Sequence, residues 1–166
     1  MRRLHTGGWF IVLVGLAVAV ALAVFTPRAL SAAGGTDRPF KGSAVGSANF
    51  LPDPSCPLGF RSVLETSGTA SHLGLVSFSS NHCFALPNLI TEGQGTFVAA
   101  NGDELYLTYV GTCNPPDFAT CITDNVVVGG TGRFANATGE FQITALITNI
   151  APPRPVTLTW EGTLSY

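Results

Sequence analysis

Charged side chains are scarce in this sequence. Asp, Glu, Lys and Arg make up 11% of its 166 residues, against about 25% in typical soluble proteins. Coiled coils and solvated disordered chains both need many charges, so these classes are excluded. The formal net charge is −2, and Lys41 is the only lysine. A nucleic-acid partner is therefore not expected, because its phosphates require clustered Lys and Arg.

Motifs for metal binding and for nucleophilic catalysis are also missing. The four cysteines and three histidines show no CxxC or HxxxH spacing, so we expect no metal site. No GxSxG segment occurs. A Gly-Gly-Thr-Gly run at 129–132 lacks the lysine and the following helix of a phosphate loop. We expect no cofactor, and we interpret this run as a tight turn.

The first 33 residues differ in composition from the rest of the chain. Arg2 and Arg3 form a basic head, and Trp9–Phe25 follow as 17 residues without a charge. Small residues allow cleavage after Ser31 or Ala33, so 1–33 reads as a secretory signal helix, and the protein as secreted or otherwise extracytoplasmic. The alternative is an uncleaved anchor, the only segment that would contact a membrane. Its apolar run would extend about 25 Å, which is short for crossing a bilayer.

All four cysteines lie after this segment. An even number in an exported chain indicates disulfide bonds. Three pairings can be drawn. We favour Cys113 with Cys121, which are close in sequence across a proline-rich loop, and this leaves Cys56 with Cys83.

Apolar residues recur at a period of two in the rest of the chain, which is typical of β-strands. The clearest strand is C-terminal, where Val156, Leu158 and Trp160 share one face. An Asn-Gly pair within 95–110 predicts a β-hairpin there. Further strands are predicted near residues 60–66, 69–79, 83–90, 122–128 and 141–148.

The number of strands predicts the architecture. About eight strands in one small domain need a closed barrel or a sandwich. Hairpin-like neighbours without a long crossover favour a closed antiparallel β-barrel, which leaves no exposed edge. We therefore predict an all-β barrel over residues 60–166. The Gly-, Ser- and Pro-rich residues 34–59 form an extended arm or an irregular first strand in this prediction.

Four stretches of the sequence carry a family resemblance. They are ASHLG at 70–74, FVAANGDEL at 97–105, GGTGRFANATG at 129–139 and WEGTLSY at 160–166. Together they resemble a group of exported bacterial proteins of unknown role, similar to the allene oxide cyclase and dirigent barrel superfamily. The resemblance implies an eight-stranded antiparallel barrel with an apolar lumen. Dimers and trimers are common among such proteins, so the resemblance is compatible with a homo-oligomer.

Two histidines follow the leader. On an alternating strand, His72 shares a face with Val76 and Phe78. If that face is the lumen, His72 is a weak candidate for an acid or base; otherwise it is a structural histidine bonded to backbone. His82, next to Cys83, is interpreted as a surface residue.

Other candidates come from aromatic and turn residues. Candidate ligand contacts are Tyr106, Tyr109 and Trp160, although aromatic side chains in a small barrel more often pack than bind. Arg133 is expected to brace the glycine-rich turn. A carboxylate is one candidate partner for it there. The turn glycines are Gly129, Gly130 and Gly132.

Three functions remain open at this point. The barrel is a filled surface or structural module, a carrier of a small hydrophobic molecule, or a cyclase or isomerase acting in its lumen. No constellation of catalytic residues is present, so we favour a non-catalytic role. A lumen below roughly 300 Å³ would contradict the ligand-pocket interpretations. His72 or a carboxylate in its lining would favour catalysis, and a wholly apolar lining would count against it.

Overall fold

The computed structural model describes residues 35–115, 119–149, 152 and 154–166. The predicted signal peptide therefore lies outside the described residues. None of the helices in the described part is long and apolar enough to span a membrane.

Eight antiparallel strands close into one barrel in simple sequence order, with β1 pairing with both β2 and β8. A single turn of 3-10 helix, Gly132–Phe134, lies between β6 and β7. The strands are β1 Arg38–Pro52, β2 Phe60–Ala70, β3 Gly74–Leu86, β4 Leu89–Ala99, β5 Glu104–Cys113, β6 Thr120–Gly130, β7 Thr138–Ile147 and β8 Arg154–Ser165. The predicted all-β closed barrel is confirmed.

The barrel begins earlier than the sequence pattern indicates. β1 pairs residue by residue with β2 from Gly42 to Pro52 and with β8 from Arg38 to Ala48. It is thus a full wall strand, and the barrel starts at Arg38 rather than at residue 60. The apolar alternation was hard to see because small residues occupy several inward positions. Gly42 leaves room for the Trp160 indole, where a Cβ would lie 2.4 Å from a ring atom.

Two of the predicted strands extend across turns that the structure shows. The prediction at 69–79 spans the turn between β2 and β3, where His72 and Gly74 adopt φ of 70° and 76°. The prediction at 83–90 spans the short connection between β3 and β4. Both turns connect strands whose apolar residues continue the alternation, so the period alone did not reveal them.

The barrel interior is packed in one half and hollow in the other. Phe40 contacts Phe97 and Phe141 edge-to-face, and Phe97 lies 5.0 Å from Trp160 between ring centroids. Phe134 of the 3-10 helix is fully buried at the same end. These rings fill one half of the barrel, and the functional candidate lies in the other.

Candidate functional site

The hollow half of the barrel contains a cavity of about 250 Å³. Inward-facing side chains from all eight strands contribute to its wall, and most of them are apolar. The lining residues are Ala48, Phe50, Phe60, Ser62, Leu64, Phe78, Ser80, His82, Phe84, Pro87, Ile90, Tyr109, Cys113, Cys121, Thr123, Asn125, Ile143, Ala145, Ile147, Arg154, Val156 and Leu158.

The cavity volume falls below the roughly 300 Å³ taken above as the lower bound for a ligand pocket. It therefore cannot enclose a drug-sized molecule. An apolar cavity of about 150 Å³ nevertheless holds benzene, so the bound does not exclude smaller ligands. What fits is a molecule somewhat larger than one aromatic ring.

One side of the cavity carries three phenylalanine rings. Phe50, Phe60 and Phe84 lie within 5.2 to 6.2 Å of one another between ring centroids. The Arg154 guanidinium lies 4.1 Å from the centre of the Phe50 ring. Phe50 is 40% exposed, so these rings form an apolar boundary between the cavity and solvent.

The opposite boundary of the cavity is the packed half of the barrel. Phe78 lines the cavity and stacks on Phe97, with ring centroids 4.3 Å apart. Phe97 is fully buried among the aromatic rings behind it. The ring of Phe78 thus separates the void from the filled core.

Both disulfides belong to the hollow end. Cys56 is bonded to Cys83, and Cys113 is bonded to Cys121, which is the pairing that the sequence favoured. The first bond ties the connection between β1 and β2 to β3, and the second joins directly paired positions of β5 and β6. Cys113 and Cys121 also line the cavity.

A histidine and a tyrosine form a hydrogen-bonded pair in the cavity wall. His82 Nδ1 lies 3.0 Å from the Tyr109 hydroxyl, which also donates to the backbone carbonyl of Asn81 at 3.3 Å. Burial, together with the positive charge of Arg61, lowers the pKa of His82 to about 4. Burial also raises the pKa of Tyr109 to about 12. Both side chains are therefore neutral near pH 7.

Gly93 makes room for this tyrosine. Gly93 of β4 is paired with Tyr109 of β5, next to a register shift in the ladder. A Cβ on Gly93 would lie 2.2 Å from an atom of the Tyr109 ring. Only glycine at this position lets the ring lie against the wall and reach His82.

Asn125 supplies a third buried polar group. Its amide nitrogen donates to the backbone carbonyls of Thr123 and Phe141 at 2.9 and 3.2 Å. Asn125 is 2% exposed and lines the cavity. It therefore ties β6 to β7 and presents its amide to the same wall as the His82–Tyr109 pair.

The predicted site residues separate into two groups. Tyr109 lines the cavity, whereas Tyr106 lies on the outer face, bonded to the Glu104 carboxylate, which raises its pKa. Trp160 is buried in the packed half and is not among the lining residues. His72 lies in the turn between β2 and β3, where its ring bonds the Pro39 carbonyl at 3.0 Å.

The glycine-rich turn lies away from the cavity. Gly129 and Gly132 have positive φ, and a Cβ on Gly130 would lie 2.1 Å from the Glu104 carbonyl oxygen. Arg133 donates to the His72 carbonyl at 2.6 Å and lies 3.6 Å from the Asp103 carboxylate. Arg133 therefore braces two turns at the packed end of the barrel.

The expectation that His82 is a surface residue is wrong. His82 is only 6% exposed and lines the cavity. The signal was available, because His82 has the same strand parity as the inward-facing Val76, Phe78 and Phe84. It was missed because the predicted strand stopped at 79 and a new one began at 83.

Comparison with known proteins identifies the type of barrel. A solved structure of a pterocarpan synthase dirigent protein matches with a TM-score of 0.57 and 15% identity, over 89% of this chain and 99% of that chain. The fold is dirigent-like. A likeness at this identity shows the shared barrel and does not transfer a site. No family model matches the sequence, and no curated protein matches it.

The cavity wall bears on the chemistry that this barrel can perform. No carboxylate is among the described lining residues, and His82 is the one histidine there. Across the described ranges, no group of three or more His, Cys, Asp or Glu residues could hold a metal ion. The arrangement is a mainly apolar chamber with a few neutral hydrogen-bonding groups and the Arg154 guanidinium at its boundary.

Proposed function

We propose that this protein is an exported carrier that binds one small hydrophobic molecule inside its barrel. The observation that carries the proposal is the apolar cavity of about 250 Å³ at the hollow end. Small-molecule sites are concave and mainly apolar, with a few polar groups that set the ligand's orientation. The wall described above has this composition.

A filled structural module fits the geometry less well. Protein interiors are close-packed, and a void lined by apolar groups costs stability, because the lining atoms lose dispersion contacts. Half of this barrel is packed with aromatic rings, whereas the other half presents Phe60, Ile90 and Ile143 to a void. A ligand would restore those contacts.

A cyclase or isomerase acting on an apolar molecule is the second candidate. The His82–Tyr109 pair favours it, because hydrogen-bonded His and Tyr side chains recur in acid–base sites. The solved neighbour is described as a pterocarpan synthase, and allene oxide cyclases belong to the superfamily that the sequence resembles. An efficient acid or base has a pKa near the working pH. The pKa values of about 4 and about 12 are far from it, so binding is preferred.

The proposal also includes a location outside the cytoplasm. Two disulfide bonds staple the hollow end of the barrel, and such bonds persist in oxidising compartments outside the cytoplasm. Together with the basic and apolar leader, they support an extracytoplasmic protein.

A cavity-filling variant tests the carrier function. Ala48 lines the cavity, so Ala48→Phe should place a ring in the void and weaken binding of naphthalene or 2-naphthol by more than about tenfold, measured by calorimetry. The exported protein should remain folded, because the added ring enters open space.

Asn49→Phe is the matched control. It makes the same substitution one residue along β1, on the exposed outer face, and should bind as the native protein does. Equal binding by both variants would remove the cavity from the proposal. If the native protein bound neither naphthalene nor 2-naphthol, this result would contradict the carrier function.

A further inference from the structure

A second concavity lies on the outer face of the barrel, where β2, β3, β4 and β5 run side by side. It measures about 450 Å³, which is within the usual range for ligand sites. Among the described residues, Ser80 is the only lining residue that it shares with the cavity inside the barrel. The sheet therefore separates the two spaces, and the outer one needs its own explanation.

The strand register sets the first row of residues in this outer groove. Glu65 is paired with Ser79, Ser79 with Thr96, and Thr96 with Tyr106. The row is about 14 Å long, because neighbouring strands lie about 4.8 Å apart. Short side chains in the middle and long ones at both ends give the groove its floor and its two end walls. Its length suits a short oligosaccharide better than a single small molecule.

A second row, parallel to the first, supplies amides. It runs from Val63 through Asn81 and Gln94 to Thr108, again as directly paired positions. The Asn81 side-chain oxygen accepts a hydrogen bond from Arg61 at 2.9 Å, so its NH2 group points away from that bond and remains a donor. The side chains of Gln94 and Thr108 make no hydrogen bond to any residue that the structure describes. The groove thus offers several unused donors and acceptors.

An aromatic ring forms one end of the groove. The Tyr106 hydroxyl donates to the Glu104 carboxylate, which holds the ring in place. Val128 of β6 also lines this end and is 59% exposed. A rigid ring beside an exposed apolar side chain is a platform for the C–H face of a sugar, whose hydroxyls then reach the neighbouring amides.

The charges of the groove exclude other classes of ligand. Glu65 is the one charged side chain in its described lining. Arg61, which contacts Asn81 at one corner, is already paired with the Asp53 carboxylate at 2.7 Å. Phosphates and nucleic acids need free cations. A peptide cannot add as a further strand, because the closed barrel has no edge there.

We propose that the outer groove binds a neutral polysaccharide chain, with one sugar ring packed on Tyr106 and sugar hydroxyls bonded to the amides of Asn81 and Gln94. This inference goes beyond the carrier function and does not depend on it. It gives the barrel two separate sites, an apolar one inside and a carbohydrate one on its outer wall.

A panel of sugar chains tests the inference on the exported full chain. Calorimetry measures binding of cellohexaose, maltohexaose, mannohexaose and the hexamer of N-acetylglucosamine. We expect at least one of them to bind with a dissociation constant in the micromolar to millimolar range. Hexagalacturonate should bind at least about tenfold more weakly than that chain, because its carboxylates meet Glu65 and no free cation.

Two results with this panel would overturn the inference. One is the absence of binding to all four neutral chains at millimolar concentration. The other is a preference for hexagalacturonate. Neither result concerns the carrier function, which the naphthalene measurements test separately.

A groove-filling variant assigns the binding to this face. Thr96→Trp places a large ring on the groove floor and should abolish binding of the sugar chain. Thr159→Trp makes the same substitution on the exposed outer face of β8, outside the groove, and should bind as the native protein does. Tyr106→Ala should weaken binding about tenfold, because it removes the packing ring. Equal binding by the two tryptophan variants would overturn the assignment.

Amide NMR of the native protein keeps the inference testable if these variants fold poorly. Addition of the bound hexaose should shift the amide signals of Gln94, Thr96 and Thr108 most strongly. The largest shifts on another face of the barrel, for example at Val126 and Leu146, would show that the sugar binds elsewhere and would overturn the inference.

Discussion

His72 and His82 show how position on a strand decides what a histidine can do. His72 lies in a turn with φ of 70° and bonds a backbone carbonyl. His82 lies ten residues later, within β3, where the alternation turns its ring into the cavity. The same residue type is a turn brace in one place and part of an apolar wall in the other.

The buried His82 should make the stability of the protein depend on pH. Its pKa is 6.5 in an unfolded chain and about 4 in the barrel. Between these values the unfolded state binds more protons, so the free energy of unfolding should fall by about 3 kcal/mol as pH drops from 6.5 to 4. Urea unfolding at several pH values measures this slope.

Two variants separate this effect from other titrations. His82→Phe should flatten the slope between pH 6.5 and 4, whereas Asn49→Phe on the outer face should keep it. Hydrogen bonds from Ser55 and Arg61 hold the pKa of Asp53 at about 2, below its usual 3.8. Asp53 therefore destabilises the fold only at still lower pH. A slope that survives in His82→Phe would show that another group causes it.

At the scale of elements, the connection between β1 and β2 is anchored at two points. Arg61 Nε of β2 lies 2.7 Å from the Asp53 carboxylate, and its Nη1 is held by the Asn81 side chain of β3, to which it donates at 2.9 Å. The disulfide from Cys56 to Cys83 adds a covalent link to β3. This connection lies beside the phenylalanine rings of the cavity boundary, so its anchoring supports the shape of the hollow end.

Removing the two disulfides should have unequal effects. Cys56 and Cys83 are 27 residues apart in sequence, and Cys113 and Cys121 are 8 apart. Chain entropy gives about 3.6 kcal/mol for the first bond and about 2.6 kcal/mol for the second. The Cys56→Ala, Cys83→Ala variant should therefore lose more stability in urea unfolding than the Cys113→Ala, Cys121→Ala variant. The reverse order would show that native packing, rather than loop closure, sets the cost.

At the scale of the whole molecule, closure and filling are separate properties. Pairing of β1 with β8 closes the sheet and removes the exposed edges of an open one. Filling depends on side-chain size at each level along the barrel axis. Phe40, Phe97 and Trp160 occupy one level, whereas Ala48 and Ala145 line the hollow one.

Export should leave a recognisable product. The full chain produced with its leader in a secreting host should yield a protein that begins at Ala32 or Gly34, with no free thiols. Intact mass and an N-terminal peptide measure this. Retention of residues 1–33 in the folded protein would favour the uncleaved anchor instead.

The amino-acid sequence by itself predicted the strand class, and it favoured the closed barrel and the cysteine pairing that the structure shows. These depend on local alternation, on turn residues and on distances along the chain, all of which can be read from neighbouring positions. It also identified Tyr109 and Arg133 as residues of interest, but not which partners they meet. Arg133 and Asp103 come together across two turns that are far apart in sequence.

Only the tertiary structure decided where the barrel is hollow and which polar groups border the void. The level of a residue along the barrel axis depends on the register of every strand pair, including the shifts in β4. A single sequence does not specify these shifts. The alternation of apolar and polar residues predicts that His82, Tyr109 and Asn125 point inward. The combined register of eight strands is what brings them into one wall.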